Sequence, residues 1–212
     1  MNITNPILVL SNVGVHFGMK PIFEHVSYTL NRGEICCISG VSGCGKSTLL
    51  KAVMGLVPYS GYIEVCGQEL SPNTSSFIRR NISYVPQELA LPCDTVREML
   101  RMPFHLRANR SVKWDEVLLL EHWKMLGLDS SLLDARTTEI SGGQRQRMML
   151  AVSGLLNKSL LLADEPTSAL DVDTSHYVLD YFRFLANDFG LSILLVSHAS
   201  LFYDSLPLLR LD

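Results

Sequence analysis

The chain has 212 residues, enough for one domain with a sizeable core, and its 47% hydrophobic and 18% charged residues are those of a globular protein. A formal net charge of −3 lacks the basic excess of a nucleic-acid binder, so no nucleic-acid partner is expected. Residues 191–209 come nearest to a membrane span, but Ser192, Ser197, His198, Ser200 and Asp204 interrupt them, so any membrane contact is expected to run through a partner.

The opening MNITNPILVLSNV has neither a basic stretch nor a small-residue cleavage site, so no signal peptide is expected there. Residues 7–13 and 26–30 read as strands, with Gly18 and Pro21 as punctuation between them. Residues 35–39 (ICCIS) form a short apolar run, the mark of a buried strand. A glycine loop and a helix over 47–54 follow, stopped by Gly55. Residues 62–65 and 82–85 read as further strands. From about 95 to 155 the pattern turns helical, and Val117, Leu120, Trp123 and Leu126 have the spacing of a core-facing stripe. Residues 160–163 and 193–196 are continuous apolar runs, as expected of parallel strands covered on both faces, with a helix over 174–189 between them and a last strand at 208–211. The order predicts an α/β fold: a mostly parallel central sheet, an antiparallel N-terminal part and an inserted helical lobe. The five cysteines (Cys36, Cys37, Cys44, Cys66 and Cys93) lack zinc spacing and read as buried, reduced thiols.

Gly40-Val41-Ser42-Gly43-Cys44-Gly45-Lys46-Ser47 matches the phosphate loop G-x-x-x-x-G-K-[ST]. Its glycines let successive backbone N–H groups turn inward around phosphates, and the helix it opens favours an anion at its N-terminus. Lys46 is placed to reach the β- and γ-phosphates, Ser47 to ligate Mg²⁺, and Thr48 to bond the α-phosphate. Leu160-Leu161-Leu162-Ala163-Asp164-Glu165 is an apolar strand ending in two carboxylates. Asp164 is expected to hold Mg²⁺ through water. Glu165, projecting elsewhere, is expected to act as general base toward an attacking water.

Ile140-Ser141-Gly142-Gly143-Gln144 resembles the LSGGQ signature of ATP-binding-cassette ATPases and falls between the phosphate loop and the acidic pair, as that family requires. The resemblance covers essentially the whole chain and implies one domain over 1–212. Its catalytic core lobe would span about 1–90 and 156–212, and a helical signature lobe about 91–155. It implies ATP and Mg²⁺ as cofactors and a head-to-tail dimer. In that dimer Ser141, Gly142, Gly143 and Gln144 of one subunit would cover the nucleotide held by the other. It further implies that Phe17 stacks on adenine, that Gln87 touches Mg²⁺, that Asp171 belongs to the dimer-contact loop, and that His198 contacts the γ-phosphate. The implied partners are a second ATPase subunit and a transmembrane permease. The permease would hold the chain on the cytoplasmic face of a bacterial inner membrane, with residues 88–94 lining its docking cleft and Leu89, Leu91 and Pro92 as anchors. Arg136-Thr137-Thr138-Glu139 stands where fused exporters often carry a glycine-rich stretch, which suggests a separately encoded cassette. Ser83-Tyr84, Gln87 and Asp94-Thr95-Val96 resemble the compact iron-export type. Three departures stand out: Ile140 for Leu, Ala151-Val152-Ser153 for the usual Ala-Arg-Ala, and Ala199 after His198 where Asp is common. The last two put local salt bridges in doubt, not the chemistry. A cassette ATPase that drives envelope or iron–sulfur assembly is the alternative reading, while Glu165 and His198 argue against a non-hydrolysing sensor.

Overall fold

The N-terminal strands are longer than their apolar runs. In a computed structural model describing residues 5–88 and 92–211, β1 (Pro6–Phe17) pairs antiparallel with β2 (Lys20–Asn31) from Pro6↔Asn31 to Phe17↔Lys20. β1 also pairs with β4 (Ser60–Val65), which carries the two-residue β5 (Gln68–Glu69), giving a sheet of order β2-β1-β4-β5. Pro21 is tolerated because β2 lies at the edge of this sheet, where a missing N–H breaks no ladder.

A second sheet has the order β6-β7-β8-β3-β9 and is parallel throughout. Its strands are β3 (Ile35–Ser39), β6 (Ile82–Val85), β7 (Leu160–Asp164), β8 (Ser192–Val196) and β9 (Leu208–Arg210). All of β7 and β8 is buried, as continuous apolar runs require. Alternate residues face two cores. Cys36, Ile38, Leu160, Leu162 and Leu194 join the antiparallel sheet and α1 (Lys46–Val53) in one; Cys37, Leu161, Ala163, Ile193 and Leu195 join the helices in the other. The helical core is built from α3 (Val96–His105), α4 (Glu116–Met125), α5 (Gly142–Leu155) and α6 (Val172–Phe189).

Several expectations are corrected locally. The stripe on α4 is only partly core: Trp123 and Leu126 are buried and Leu120 is half-buried, but Val117 is 72% exposed, and Leu119 and His122 are buried instead. Two short helices, α2 (Ser75–Asn81) and α7 (Ser200–Ser205), carry one buried residue each, too little apolar content to be read from pattern. Cys36 and Cys37 are buried, whereas Cys44, Cys66 and Cys93 are half-buried; all five are free thiols. Val152, the departure from the arginine of the usual pattern, is fully buried in the helical core, so an apolar contact takes the place of a salt bridge.

Candidate active site

The phosphate loop leaves the C-terminal end of β3 and delivers Lys46 as the first residue of α1. Gly45 caps that helix in the left-handed conformation, φ +99°, and a Cβ there would lie 2.5 Å from Ile22 Cγ2, so only glycine fits this entry. Lys46 is buried, and its Nζ donates to the carbonyls of Gly40 and Val41, 2.9 Å each. Val41, Ser42 and Gly43 are exposed, while Gly40, Cys44, Gly45, Ser47 and Thr48 are half-buried.

The acidic pair comes from the C-terminal end of β7, beside β3's neighbour β8. Asp164 is buried; its Oδ1 accepts from Ser47 Oγ at 2.8 Å and its Oδ2 from the Tyr84 hydroxyl at 3.4 Å. Burial and the neighbouring Asp164 carboxylate push the Tyr84 hydroxyl up to about 12, so it stays protonated and remains a donor. Glu165 sits at φ +48°, a left-handed backbone uncommon for a residue with a Cβ. Its Oε2 accepts from Gln87 Nε2 at 3.0 Å, and its Oε1 lies 3.5 Å from His198 Nε2. Gln87 follows β6 and His198 follows β8, so the strands flanking β7 on either side supply the two contacts. Tyr203 donates to the Ser197 carbonyl at 2.6 Å and steadies the backbone before His198.

The signature residues open α5. The Ser141 Oγ accepts from the Gln144 N–H at 3.1 Å, and the Gln144 Oε1 accepts from the Ser141 N–H at 2.8 Å, a reciprocal cap. The Ser141 hydroxyl spends only a lone pair on this cap, so its proton remains available to an acceptor outside the chain. Ser141 and Gly142 are exposed, and Gly143 is buried against Ala169 and Leu170. Asp171 caps α6, accepting from the Thr174 N–H at 2.7 Å, and those bonds hold its carboxyl below the usual range. Phe17, at the end of β1, is 54% exposed with its ring open to a ligand. The loop expected to meet a permease is described at Pro92, which is exposed; Leu89 and Leu91 lie outside the described residues.

The structure thus brings Lys46, Ser47, Gln87, Asp164, Glu165 and His198 to the C-terminal end of the parallel sheet. Sequence reasoning missed the contacts of Tyr84 and of Gln146, whose side chain reaches the backbone of Gln87 and Glu165. A signal for Gln146 existed: Gly143, Gln146, Leu150 and Ser153 recur at helical spacing on the buried face of α5. Among the described residues no group of three or more His, Cys, Asp or Glu side chains converges as a metal centre.

A family model described as "ABC transporter" matches residues 23–168. The chain is 35% identical over 199 residues to the probable iron export ATP-binding protein FetA of Escherichia coli (strain K12), covering 93% of this chain and 87% of that one. It is 34% identical to the ABC transporter ATP-binding protein YtrE of Bacillus subtilis (strain 168), covering 84% and 79%. Among solved structures it is similar to the dimeric bacterial ABC transporter cassette MJ0796, with a TM-score of 0.77, 27% identity, and coverage of 91% of this chain and 88% of that one. The same cassette has been seen as a dimer in a post-hydrolysis state with ADP and Pi, with a TM-score of 0.76 to this chain.

Proposed function

Because the chain belongs to the ABC transporter family, whose model it matches over residues 23–168, we propose that its phosphate loop, acidic pair and signature helix form one ATP-driven engine shared between two subunits. The chain is an ATP-binding, ATP-hydrolysing subunit of an ABC transporter. The observation that carries the mechanistic reading is the divergence of two adjacent carboxylates: Asp164 toward Ser47, Glu165 toward Gln87 and His198.

In this reading ATP draws Lys46 from the Gly40 and Val41 carbonyls to the β- and γ-phosphates, where its ammonium meets charged oxygens instead of neutral carbonyls. The backbone N–H groups of residues 40–45 cradle the phosphates, with Thr48 on the α-phosphate and Phe17 against adenine. The groups that meet at Asp164 are hard oxygens, its own carboxylate and the Ser47 hydroxyl, which suits Mg²⁺ and its preference for a few protein ligands plus phosphate; Gln87, whose amide is bonded to Glu165, is proposed to join them when the ion is bound. When bound there, the ion would neutralise phosphate charge. Glu165 accepts the proton of the attacking water, and Gln87 and His198 hold its carboxylate in place. Ser141 and Gly143 of one subunit face the γ-phosphate of the other in this reading, and the dimeric state of the cassette of 27% identity supports a pairing of two such subunits. The core lobe is assigned to about 1–90 and 156–212, and the signature lobe to about 91–155.

Among the described residues no helix is long and apolar enough to cross a membrane, and the proposed partner on which the motor acts is a separate permease. A cleft of about 520 Å³, lined in part by Pro92, Cys93, Asp94, Glu98, Arg101 and His105, suits a docking segment from that permease on the cytoplasmic face. The relatives are named for different cargoes at nearly equal identity, 35% for iron export and 33% for zinc import. Cargo choice is therefore assigned to the permease. Affinity-tagged chain purified from detergent-solubilised membranes is expected to bring down a polytopic membrane protein at a one-to-one ratio. Recovery of soluble partners alone would favour a cassette that drives assembly instead.

A further inference from the structure

We infer that Gln146 is a positioning residue for hydrolysis, a two-pronged clamp that fixes the backbone of Glu165 and of Gln87 to the signature helix. The inference rests on Glu165 being the general base. Gln146 lies one turn into α5 and is 3% exposed. A primary amide placed in such a site is unfavourable unless its polar atoms find partners. Here the Nε2 group donates both hydrogens: one to the carbonyl of Gln87 and one to the carbonyl of Glu165, each at 3.1 Å. The two acceptors belong to separate segments, one after β6 and one after β7, so a single side chain ties both to α5.

What it ties is the strained residue of the site. Glu165 holds φ +48°, which persists only where its surroundings fix it. Its N–H is held by the Val196 carbonyl at 2.9 Å, and its carbonyl is held by Gln146. Its carboxylate is held by the Gln87 side chain, whose own backbone Gln146 also holds. Releasing Gln146 therefore loosens the base directly and loosens the residue that orients it.

Gln146 Oε1 is buried and has no hydrogen-bond partner among the described residues. A methionine would fill the same volume and leave no orphan, so packing alone does not explain a glutamine here. Its two donors do. The other end of the helix turn is equally constrained, because a Cβ on Gly143 would come within 2.5 Å of Leu170 Cδ2 and 2.9 Å of the Ala169 carbonyl. The clamp thus makes a short, stiff link between the end of α5 that would serve the partner's nucleotide and the base that serves the chain's own.

The test is steady-state ATPase kinetics and thermal melting of two variants, with Glu165→Gln alongside. Gln146→Met keeps the length and removes both donors. Misplacing a base by a fraction of an ångström is costly, so kcat is expected to fall about 10- to 100-fold. The KM for ATP should stay within about threefold, since the phosphate loop is untouched, and the melting transition should be retained. Gln146→His, whose Nε2–H has similar reach but offers one donor, should fall between Gln146→Met and the unchanged protein. A Gln146→Met kcat within twofold of the unchanged protein would overturn the inference, as would equal losses in kcat and affinity, which mark a packing role. If Gln146→Met loses its cooperative transition, Gln146→His decides: an unchanged kcat overturns the clamp. Full activity of Glu165→Gln would instead remove Glu165 as the base, a failure distinct from that of the clamp.

Discussion

At the residue scale, two neighbouring carboxylates do different work because they meet different partners. Asp164 ends its strand pointing at Ser47 and Tyr84; Glu165, one residue on and left-handed, points at Gln87 and His198. Glu165→Gln is expected to bind ATP as before and to lose about 10²- to 10⁴-fold in turnover, read as phosphate release against nucleotide affinity. Lys46→Ala is expected to weaken ATP binding at least tenfold in a nucleotide titration, because a buried ammonium at the phosphates is replaced by a methyl group. The phosphate loop and the acidic pair were legible in the sequence because each is a contiguous motif. The contacts of Tyr84 and Gln146 were not, since Tyr84 meets Asp164 across 80 residues and Gln146 meets Glu165 across 19. His122 has a structural role in the helical core. It is buried, its Nδ1 shares a 2.6 Å hydrogen bond with the Tyr181 hydroxyl, and desolvation lowers its pKa. The unfolded chain then takes up a proton before the folded one does. The stabilisation from keeping His122 neutral is complete above about pH 6.5 and is lost as pH falls from there through the lowered folded value. Denaturant titrations at stepped pH should show that decline, and His122→Phe should flatten it.

At the scale of elements, the signature helix is held from several directions. Its N-terminus is capped reciprocally by Ser141 and Gln144, and Gln146 ties it to the strand ends of the core. Its lead-in is stitched to the segment before α3: Thr95 bridges Arg136, the Thr137 N–H donates to the Asp94 carbonyl at 3.0 Å, and the Thr137 hydroxyl donates to the Cys93 carbonyl at 2.6 Å. The cleft assigned to the permease therefore abuts the chain leading into the signature. Thr95 also caps α3 in a box with Glu98, so Thr95→Ala should cost about 1 kcal/mol of unfolding free energy, measured by denaturant titration. Farther along α5, a Cβ on Gly154 would lie 2.3 Å from the Tyr181 hydroxyl oxygen. Gly154→Ala gains helix propensity of about 1 kcal/mol but must push that buried ring, for a net loss of roughly 1–2 kcal/mol in the same titration. Element type was readable wherever apolar residues run continuously, as in β3, β7 and β8. It was lost in α2 and α7, where one buried residue leaves no period to detect, and in the first half of β2, where Pro21 looks like a break until the strand is seen at an edge.

At the scale of the whole molecule, the parallel sheet divides two cores. One joins the antiparallel sheet and the phosphate-loop helix; the other joins the helices that carry the signature. The nucleotide-binding loop is packed with the first and the signature end with the second, and Ser141 remains exposed with a free hydroxyl proton. A chain built this way offers one helix terminus to its own phosphates and a second to phosphates held elsewhere. The proposed head-to-tail dimer would use that surplus. The alternating faces of the central strands made the α/β class readable from sequence, whereas the dimer entered only through the signature's resemblance, because exposure of a helix end is a property of the folded surface. The most direct test is light scattering on size-exclusion chromatography of Glu165→Gln with saturating ATP and Mg²⁺, after ATP binding has been verified. The account predicts a species of twice the 23.7 kDa chain mass that reverts to one chain when ATP is removed; a single 23.7 kDa species with ATP bound would contradict it.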